Sequence, residues 1–213
     1  MIHGLRIERV RVAVSQRVDV IAARDEQRDA LDRRLVQWLE QVGTLTFPVP
    51  NGLIAVDALL AWLDVLVPQC VLLSGGNDIG DSPERDSTEL ALLRYADEKN
   101  LPVLGICRGM QMLAHHAGAA LVPISGHSCT VHAILPEVED RLPAKVDSFH
   151  DWALATCPHE YRVLARAPDG SIEAIRHLSR NWEGWMWHPE REQVFDESLV
   201  ARARRLFHGS QHR

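Results

Sequence analysis

The sequence lacks the features that mark secreted, membrane-spanning and nucleic-acid-binding chains. Its four cysteines have no C-x-x-C spacing and are too few among 213 residues for a disulfide framework. No run approaches the roughly 18 consecutive apolar residues of a membrane span, and the N-terminal stretch has no hydrophobic signal-peptide core. Lys and Arg total 23 and are scattered, whereas Asp and Glu total 29. We therefore expect a reduced cytoplasmic compartment, no nucleic-acid partner and no membrane association.

Internal repeats, low-complexity tracts and long linkers are also missing, so we expect residues 1–213 to form one domain. Apolar runs alternate with amphipathic segments, which predicts an α/β fold with a mostly parallel central sheet flanked by helices. The predicted strands cover residues 10–15, 70–73, 101–106, 162–167, 172–176 and 184–187. The predicted helices cover about residues 25–42, 56–65, 86–99 and 196–207. Asp86 is the expected N-cap of the third of these helices, with Glu89 as its capping-box partner.

The octapeptide LGICRGMQ (104–111) carries a cysteine between two glycines, in a G-x-C-x-G pattern. It follows an apolar run and precedes a helical segment, which indicates a strand, a sharp turn and a helix. The residue at such a turn has a strained backbone, and its neighbours must be small because the strand and the helix crowd together. With serine in the centre this pattern is a nucleophile elbow, so Cys107 is the candidate nucleophile.

Two further polar segments, SGGND (74–78) and HPE (188–190), each follow an apolar run. Sites in open α/β sheets form at the carboxyl ends of strands, so we expect both segments to lie near Cys107. His188 is a candidate base that activates the thiol, and Glu190 is a candidate carboxylate that orients the imidazole. Taken singly, a cysteine is most often a core residue, and H-P-E or Gly-Gly is usually a turn. Their joint occurrence in this order favours a catalytic site.

A tetrahedral intermediate at this site needs hydrogen-bond donors for its oxyanion. The backbone N–H of Arg108 follows the elbow, and the Gly75-Gly76 turn has no side chains to block a close approach. The sequence therefore predicts that these two segments of backbone form an oxyanion hole.

Four motifs together resemble the class I glutamine amidotransferase family: SGGND (74–78), GICRGMQ (105–111), DSFH (147–150) and WHPE (187–190). They span most of the chain. The resemblance implies a flavodoxin-like α/β fold and a Cys-His-Glu triad that needs no cofactor. The implied substrate is a small molecule with a γ-glutamyl amide.

The resemblance assigns a role to individual residues. Cys107 is the implied nucleophile, His188 the base and Glu190 its orienting partner, while Gly76 and Arg108 supply the oxyanion-hole amides. The implied substrate-binding residues are Gly75, Gln111, Ser148, Phe149, His150 and His127.

Residues around these motifs favour the γ-glutamyl hydrolase branch of the family. An arginine follows the nucleophile, and the run E-R-D-x-x-E (84–89) resembles free-standing γ-glutamyl hydrolases. SQRV (15–18) with RDALD (28–32) further resembles the γ-glutamyl-CDP-amidate hydrolases. Those enzymes release glutamate and cytidine diphosphoramidate during the synthesis of phosphoramidate-decorated polysaccharides. The resemblance therefore implies hydrolysis of a γ-glutamyl C–N bond through a thioester.

Other functions stay open at this point. In one alternative, the substrate is a different γ-glutamyl amine, such as γ-glutamyl-GABA. In a second, the chain is a glutaminase subunit that supplies ammonia to a separate synthase, which the arginine after the nucleophile disfavours. In a third, it is a redox-sensing or binding relative, which the intact pair of His188 and Glu190 argues against. A homodimer is compatible with each of them.

The histidines form no ligand spacing that is typical of a metal site, so the sequence predicts no metal. His127 and His132 lie in the run SGHSCTVH, which either borders the substrate pocket or holds structural histidines. His115 and His116, on the predicted elbow helix, are packing or surface residues.

Overall fold

The computed structural model describes residues 9–53, 55–137 and 142–209. The N-terminal stretch in which no signal-peptide core was found therefore lies mostly outside the described residues. The first seven strands are β1 (Val10–Val14), β2 (Arg17–Ile21), β3 (Glu26–Ala30), β4 (Thr44–Pro48), β5 (Cys70–Leu73), β6 (Val103–Ile106) and β7 (Leu121–Pro123). The other seven are β8 (Thr130–Ala133), β9 (Leu135–Pro136), β10 (Lys145–Ser148), β11 (Trp152–Leu154), β12 (Tyr161–Arg166), β13 (Ile172–His177) and β14 (Trp182–Trp185). The helices are α1 (Arg33–Val42), α2 (Val56–Leu66), α3 (Pro83–Glu98), α4 (Arg108–His116) and α5 (Glu197–His208).

An eight-stranded sheet in the order β4-β1-β5-β6-β14-β13-β12-β9 forms the centre of the molecule. The first five strands of this order pair in parallel, and the last three are added antiparallel. The predicted α/β architecture with a mostly parallel central sheet is therefore confirmed. The sequence did not predict β4 at the edge or the three small two-stranded sheets, β10-β8, β11-β7 and β2-β3.

Helices cover both faces of this sheet because the strand residues alternate between two apolar cores. Val12 and Val14 of β1 lie in one core with the buried residues of α1 and α5. Ala13, between them, faces the other core, which holds the buried residues of α2, α3 and α4. Strands buried on both faces read as continuous apolar runs, which is why the sequence located β1, β5 and β6 closely. Among the described helices, none has both the length and the apolar character that crossing a membrane requires.

The first predicted helix was wrong at its start. Residues 17–30 form an antiparallel hairpin of β2 and β3, and α1 begins only at Arg33. Asp32 is the N-cap, because its side chain accepts a hydrogen bond from the Arg34 N–H at 2.8 Å. The apolar spacing that predicted the helix is confirmed only from Leu35 onward, and the helix ends at Gly43 with φ 96°.

The predicted capping box at Asp86 was also wrong. Helix α3 begins at Pro83 with Ser82 as its N-cap, since proline is well suited to the first helical turn. Asp86 and Glu89 instead direct their carboxylates to the guanidinium of Arg108. These two acidic residues therefore serve a tertiary contact and not the helix end.

The turn between β6 and α4 has the crowding that the G-x-C-x-G pattern predicts. A Cβ on Gly109 would lie 2.1 Å from the carbonyl oxygen of Leu73, and a Cβ on Gly105 would lie 2.5 Å from the backbone of Gly109. Backbone atoms of the neighbouring strand cannot yield as a flexible side chain can. The helix therefore approaches the sheet this closely only with glycine at both positions.

We predict that Gly109→Ala destabilises the protein by about 3 kcal/mol, because overpacking against backbone forces the helix away from the sheet. The control is Gly52→Ala, where a Cβ would meet nothing within 4 Å and the change should stay within about 0.5 kcal/mol. Urea unfolding of both variants measures the difference. Equal stability of the two variants would contradict the close approach.

Candidate active site

Cys107 occupies the turn between β6 and α4, where its backbone adopts φ 52° and ψ −109°. A positive φ is strained for a residue with a side chain, and the neighbouring glycine contacts hold it there. Hydrogen bonds also fix the turn, because the Cys107 N–H donates to the Trp185 carbonyl at 2.7 Å. The side chain is buried, with 5% of the residue exposed. Cys107 thus sits at the N-terminus of α4, where the helix dipole favours a negative charge.

His188 and Glu190 follow β14, the strand that pairs in parallel with β6. The Nδ1 atom of His188 lies 2.7 Å from Oε1 of Glu190, and both residues are buried. A carboxylate acceptor fixes the tautomer in which Nδ1 carries a proton. The other ring nitrogen is therefore the one available to a nucleophile.

The charge of His188 is set by two opposing effects. Burial disfavours the imidazolium, but hydrogen bonds with Cys107 and Glu190, together with their charges, outweigh it and raise the pKa of His188 to about 9. His188 therefore remains protonated at neutral pH. An imidazolium beside a thiol favours the thiolate, which is the nucleophilic form.

The glycine turn after β5 packs directly against this histidine. A Cβ on Gly75 would lie 2.6 Å from Cε1 of His188, so a larger residue would displace the imidazole. Gly76 has φ 124°, and a Cβ there would lie 2.7 Å from Arg17 and from Arg85. Arg108 is the first residue of α4, a position where the backbone N–H has no intrahelical partner.

A buried ionic network connects the glycine turn to the elbow. Arg85 donates from Nη2 to the carbonyl oxygens of Ser74 at 2.8 Å and Gly75 at 2.9 Å. Its Nε donates to Glu89 at 3.1 Å, and the second oxygen of Glu89 accepts from Arg108. Arg85, Glu89 and Arg108 are each at most 1% exposed. The carboxylate of Glu89 therefore connects the glycine turn, through Arg85, with the elbow, through Arg108.

Two arginines line the open cleft next to the histidine. The residues that line it are Arg17, Ala30, Leu31, Asp32, Leu35, Ser74, Gly75, Gly76, His188, Glu190 and Arg191. Arg17 comes from the β2–β3 hairpin and is half exposed in an ion pair with Asp19 at 2.7 Å. Arg191 stacks over the ring of Phe149 at 4.1 Å. The hairpin that the sequence analysis missed therefore contributes one of the two arginines of the cleft.

The residues predicted to bind substrate fall into three groups: residues that contact His188, residues that donate to backbone carbonyls, and two histidines. Gly75 and Phe149 contact His188, the latter edge-to-face with ring centroids 5.8 Å apart. Gln111 is buried and donates to the carbonyl of Trp152 at 3.1 Å. Ser148 donates to the carbonyl of His127 at 2.6 Å. Their roles toward a substrate stay predictions.

His127 and His150 form the third group, and the structure brings them together with His132 and Glu173. The rings of His127 and His150 lie 4.9 Å apart, and neither residue lines the cleft beside His188. The sequence analysis missed this cluster because its members are up to 46 positions apart along the chain, between residues 127 and 173. By contrast, His115 and His116 are exposed on α4.

The arrangement of Cys107, His188 and Glu190 holds the residue types that acyl transfer by a thiol requires. A thiol is seated at a helix N-terminus, an imidazolium faces it, and a carboxylate orients the imidazole. The Gly75-Gly76 turn packs against His188, and α4 begins at Arg108, directly after Cys107.

Comparison with known proteins identifies relatives of this chain. The γ-glutamyl-CDP-amidate hydrolase of Campylobacter jejuni is 35% identical over 130 residues, which cover 58% of this chain and 63% of the relative. The chain thus spans less than two thirds of that relative's length. The glutamine-hydrolysing GMP synthase subunit of Methanothrix thermoacetophila is 33% identical over 141 residues, 60% of this chain and 77% of the relative.

The fold also has a solved counterpart. The crystal structure of a glutamine amidotransferase from Thermotoga maritima superimposes with a TM-score of 0.63 at 16% identity, over 96% of this chain and 86% of that one. The model of the family "glutamine amidotransferase class-I" matches residues 33–202, well over half of the chain. The chain belongs to the class I glutamine amidotransferase family.

Proposed function

We propose that this protein is a free-standing γ-glutamyl hydrolase in which Cys107, His188 and Glu190 form the catalytic triad. The observation that carries the proposal is the contact between a strained elbow thiol and a buried histidine that is hydrogen-bonded to Glu190 at 2.7 Å. Similarity to a γ-glutamyl-CDP-amidate hydrolase supports the reaction type. Because a catalytic thiol must stay reduced, the proposal includes a cytoplasmic location.

In the first half of the reaction the Cys107 thiolate attacks the γ-carbonyl carbon of the substrate. The new C–S bond pushes the carbonyl electrons onto oxygen, and the N–H groups of Gly76 and Arg108 stabilise that oxyanion. As the carbonyl re-forms, the C–N bond breaks, and the imidazolium of His188 donates its proton to the leaving nitrogen. The products are a γ-glutamyl thioester on Cys107 and a free amine or amidate.

In the second half water hydrolyses the thioester. The now neutral His188 removes a proton from water as the oxygen attacks, and the same two amides stabilise the second oxyanion. Collapse breaks the C–S bond and releases glutamate. The thiolate and imidazolium are restored, with Glu190 holding the imidazole in one orientation throughout.

The ionic network supports action without a partner protein. Arg85 holds the carbonyls of Ser74 and Gly75, and Glu89 connects it to the arginine that follows the nucleophile. The backbone on both sides of the oxyanion hole is therefore fixed within one chain. Such preorganisation matters because loss of one oxyanion donor costs about 3 kcal/mol of transition-state stabilisation.

The two arginines of the cleft support an anionic leaving group. Arg17 and Arg191 line the space next to His188, and guanidinium groups suit phosphate oxygens. We propose γ-glutamyl-CDP-amidate as the substrate, with cytidine diphosphoramidate as the leaving group for a phosphoramidate-decorated polysaccharide.

A second candidate is a glutaminase subunit that passes ammonia to a separate synthase chain. It is favoured by the 33% identity to the glutamine-hydrolysing GMP synthase subunit. The two candidates differ in whether the isolated chain turns over and in which leaving group it prefers.

We predict that iodoacetamide labels Cys107 first among the four cysteines at pH 6.5. The imidazolium of His188 favours its thiolate, whereas burial raises the pKa of the Cys70 thiol well above its usual value. Cys129 is exposed and serves as the internal control. Peptide mapping gives the rate at each cysteine. In His188→Gln, Cys107 should lose its advantage while the Cys129 rate stays the same, and equal rates in the unsubstituted protein would contradict an activated thiol.

The pH profile tests the roles of His188 and Glu190. Removing the base should lower kcat by about 10⁴-fold in His188→Ala, and Glu190→Gln should lower it by about 10²-fold. The pKa of His188 is raised to about 9, so its proton is present at lower pH and is lost as the pH rises through that value. The unsubstituted enzyme should therefore lose kcat/KM only near pH 9, and Glu190→Gln should move this alkaline limb down by about 1 unit. An unmoved limb, or a larger rate loss in Glu190→Gln than in His188→Ala, would contradict the assigned roles.

The substrate prediction is measured on the purified chain alone. We expect kcat/KM to be highest for γ-glutamyl-CDP-amidate and low for glutamine, whose leaving group makes no contacts in the cleft. Arg17→Gln should lower kcat/KM about tenfold for this substrate with an anionic leaving group and leave a γ-glutamyl anilide, whose leaving group is uncharged, unaffected. Arg33→Gln, at an exposed residue outside the cleft, is the matched control. A preference for glutamine would contradict the leaving group, and activity that requires an added synthase chain would favour the second candidate.

A further inference from the structure

A second cluster of reactive side chains lies outside the proposed active site. His127 precedes β8, His132 lies within β8, His150 follows β10, and Glu173 belongs to β13 of the central sheet. Each offers one ligand atom, and the four atoms lie within 4.8 Å of one another. Glu173 is completely buried, and His127 and His150 are each 4% exposed. A glutamate is almost never fully buried unless it is paired or binds a metal.

The spacing of these atoms matches a small coordination sphere around one cation. Oε1 of Glu173 lies 3.4 Å from Nδ1 of His127 and 3.6 Å from Nε2 of His150, and its Oε2 lies 3.7 Å from Nε2 of His132. Tetrahedral Zn²⁺ with bonds of about 2.0–2.1 Å holds its ligand atoms roughly 3.3 Å apart. The carboxylate–imidazole distances are close to this spacing, and the four ligand atoms, which lie within 4.8 Å of one another, would draw together around a bound ion.

The outer nitrogen of each imidazole already has a partner. All three partners are oxygen atoms that accept hydrogen bonds: Asp169 Oδ2 for His127 (2.8 Å), the Ala133 carbonyl for His132 (3.1 Å) and the Trp152 carbonyl for His150 (3.0 Å). The outer nitrogens therefore carry the protons, and the inner nitrogens present lone pairs. Metal-binding histidines typically have such an oxygen partner on the other ring nitrogen.

The inner atoms have no hydrogen-bond partner among the described residues. They are Nδ1 of His127, Nε2 of His132, Nε2 of His150 and Oε2 of Glu173. Three lone pairs and one carboxylate oxygen that converge without a donor are unfavourable, because buried polar groups are nearly always satisfied. A divalent cation at their centre would satisfy all four at once.

We propose that His127, His132, His150 and Glu173 bind a structural divalent transition-metal ion, with Zn²⁺ preferred. Three imidazole nitrogens and one carboxylate oxygen suit zinc, whereas Mg²⁺ and Ca²⁺ take oxygen ligands. Four protein ligands complete a tetrahedral shell and leave no position for substrate. The inference is independent of the proposed hydrolase activity.

The site would fix the segment that contacts His188. Three of its ligands lie within or next to β8 and β10, and Glu173 anchors them to the central sheet. The backbone between the ligands is tied as well, because the N–H of His150 and the hydroxyl of Ser148 both donate to the carbonyl of His127. Phe149, which packs against His188, lies between these two residues. The bound ion would therefore hold Phe149 in place.

Metal content and thermal stability test this site directly. Protein from zinc-supplemented medium, dialysed extensively, should contain about one zinc per chain by plasma mass spectrometry. Stripping the ion with a chelator should lower Tm by about 10 °C, and adding ZnCl₂ should restore it. Glu173→Gln and His132→Gln should lose the zinc. His115→Gln, at an exposed histidine, and Cys107→Ala, at the proposed active site, should retain it.

If the variants fail to fold, a Co²⁺ titration of the chelator-treated protein tests whether the four residues bind a metal ion. The visible bands of four-coordinate Co²⁺ should saturate at one equivalent and disappear on addition of Zn²⁺. Less than a tenth of an equivalent of zinc together with an unchanged Tm after chelation would overturn the proposal. Retention of zinc in folded Glu173→Gln, or its loss in Cys107→Ala, would do so too.

Discussion

The carboxylate of Glu89 is the interaction on which the candidate active site depends. One of its oxygens accepts hydrogen bonds from Ser15 at 2.7 Å and Arg85 at 3.1 Å, and the other accepts from Arg108. Loss of one partner in a buried ionic network leaves an uncompensated charge, at a cost of about 3–5 kcal/mol. The glycine turn after β5 and the elbow after β6 are held in register by this one side chain. Each would otherwise be a surface loop at the end of a separate strand.

The strained backbone at Cys107 is the second constraint, and it depends on close packing. Its positive φ persists because α4 presses against β5 so tightly that Gly109 touches the Leu73 carbonyl. The same crowding recurs where Gly75 meets His188. Small residues thus set how near the thiol, the imidazole and the backbone amides come to one another, and the ionic network fixes their relative positions.

The sequence predicted what is local and missed what depends on distant contacts. The elbow, the strands β5 and β6 and the helix α5 carry their signals in consecutive residues, and all were located closely. Strand β3 was read as the start of a helix because its sequence, EQRDA, has no apolar alternation, and β2 was not predicted. Glu89 was assigned to a helix cap because its true partner, Arg108, lies 19 positions further along the chain. The cluster around Glu173 was missed for the same reason, since its ligands meet only when β8 and β10 fold against β13.

The central claim is that Cys107 carries the acyl group during turnover. The most direct measurement is intact-protein mass spectrometry of acid-quenched reactions with a γ-glutamyl substrate, followed by peptide mapping. The account predicts a transient mass increase of one γ-glutamyl group, located on Cys107 and missing in Cys107→Ala. Steady turnover in Cys107→Ala, or an adduct on a different residue, would contradict it.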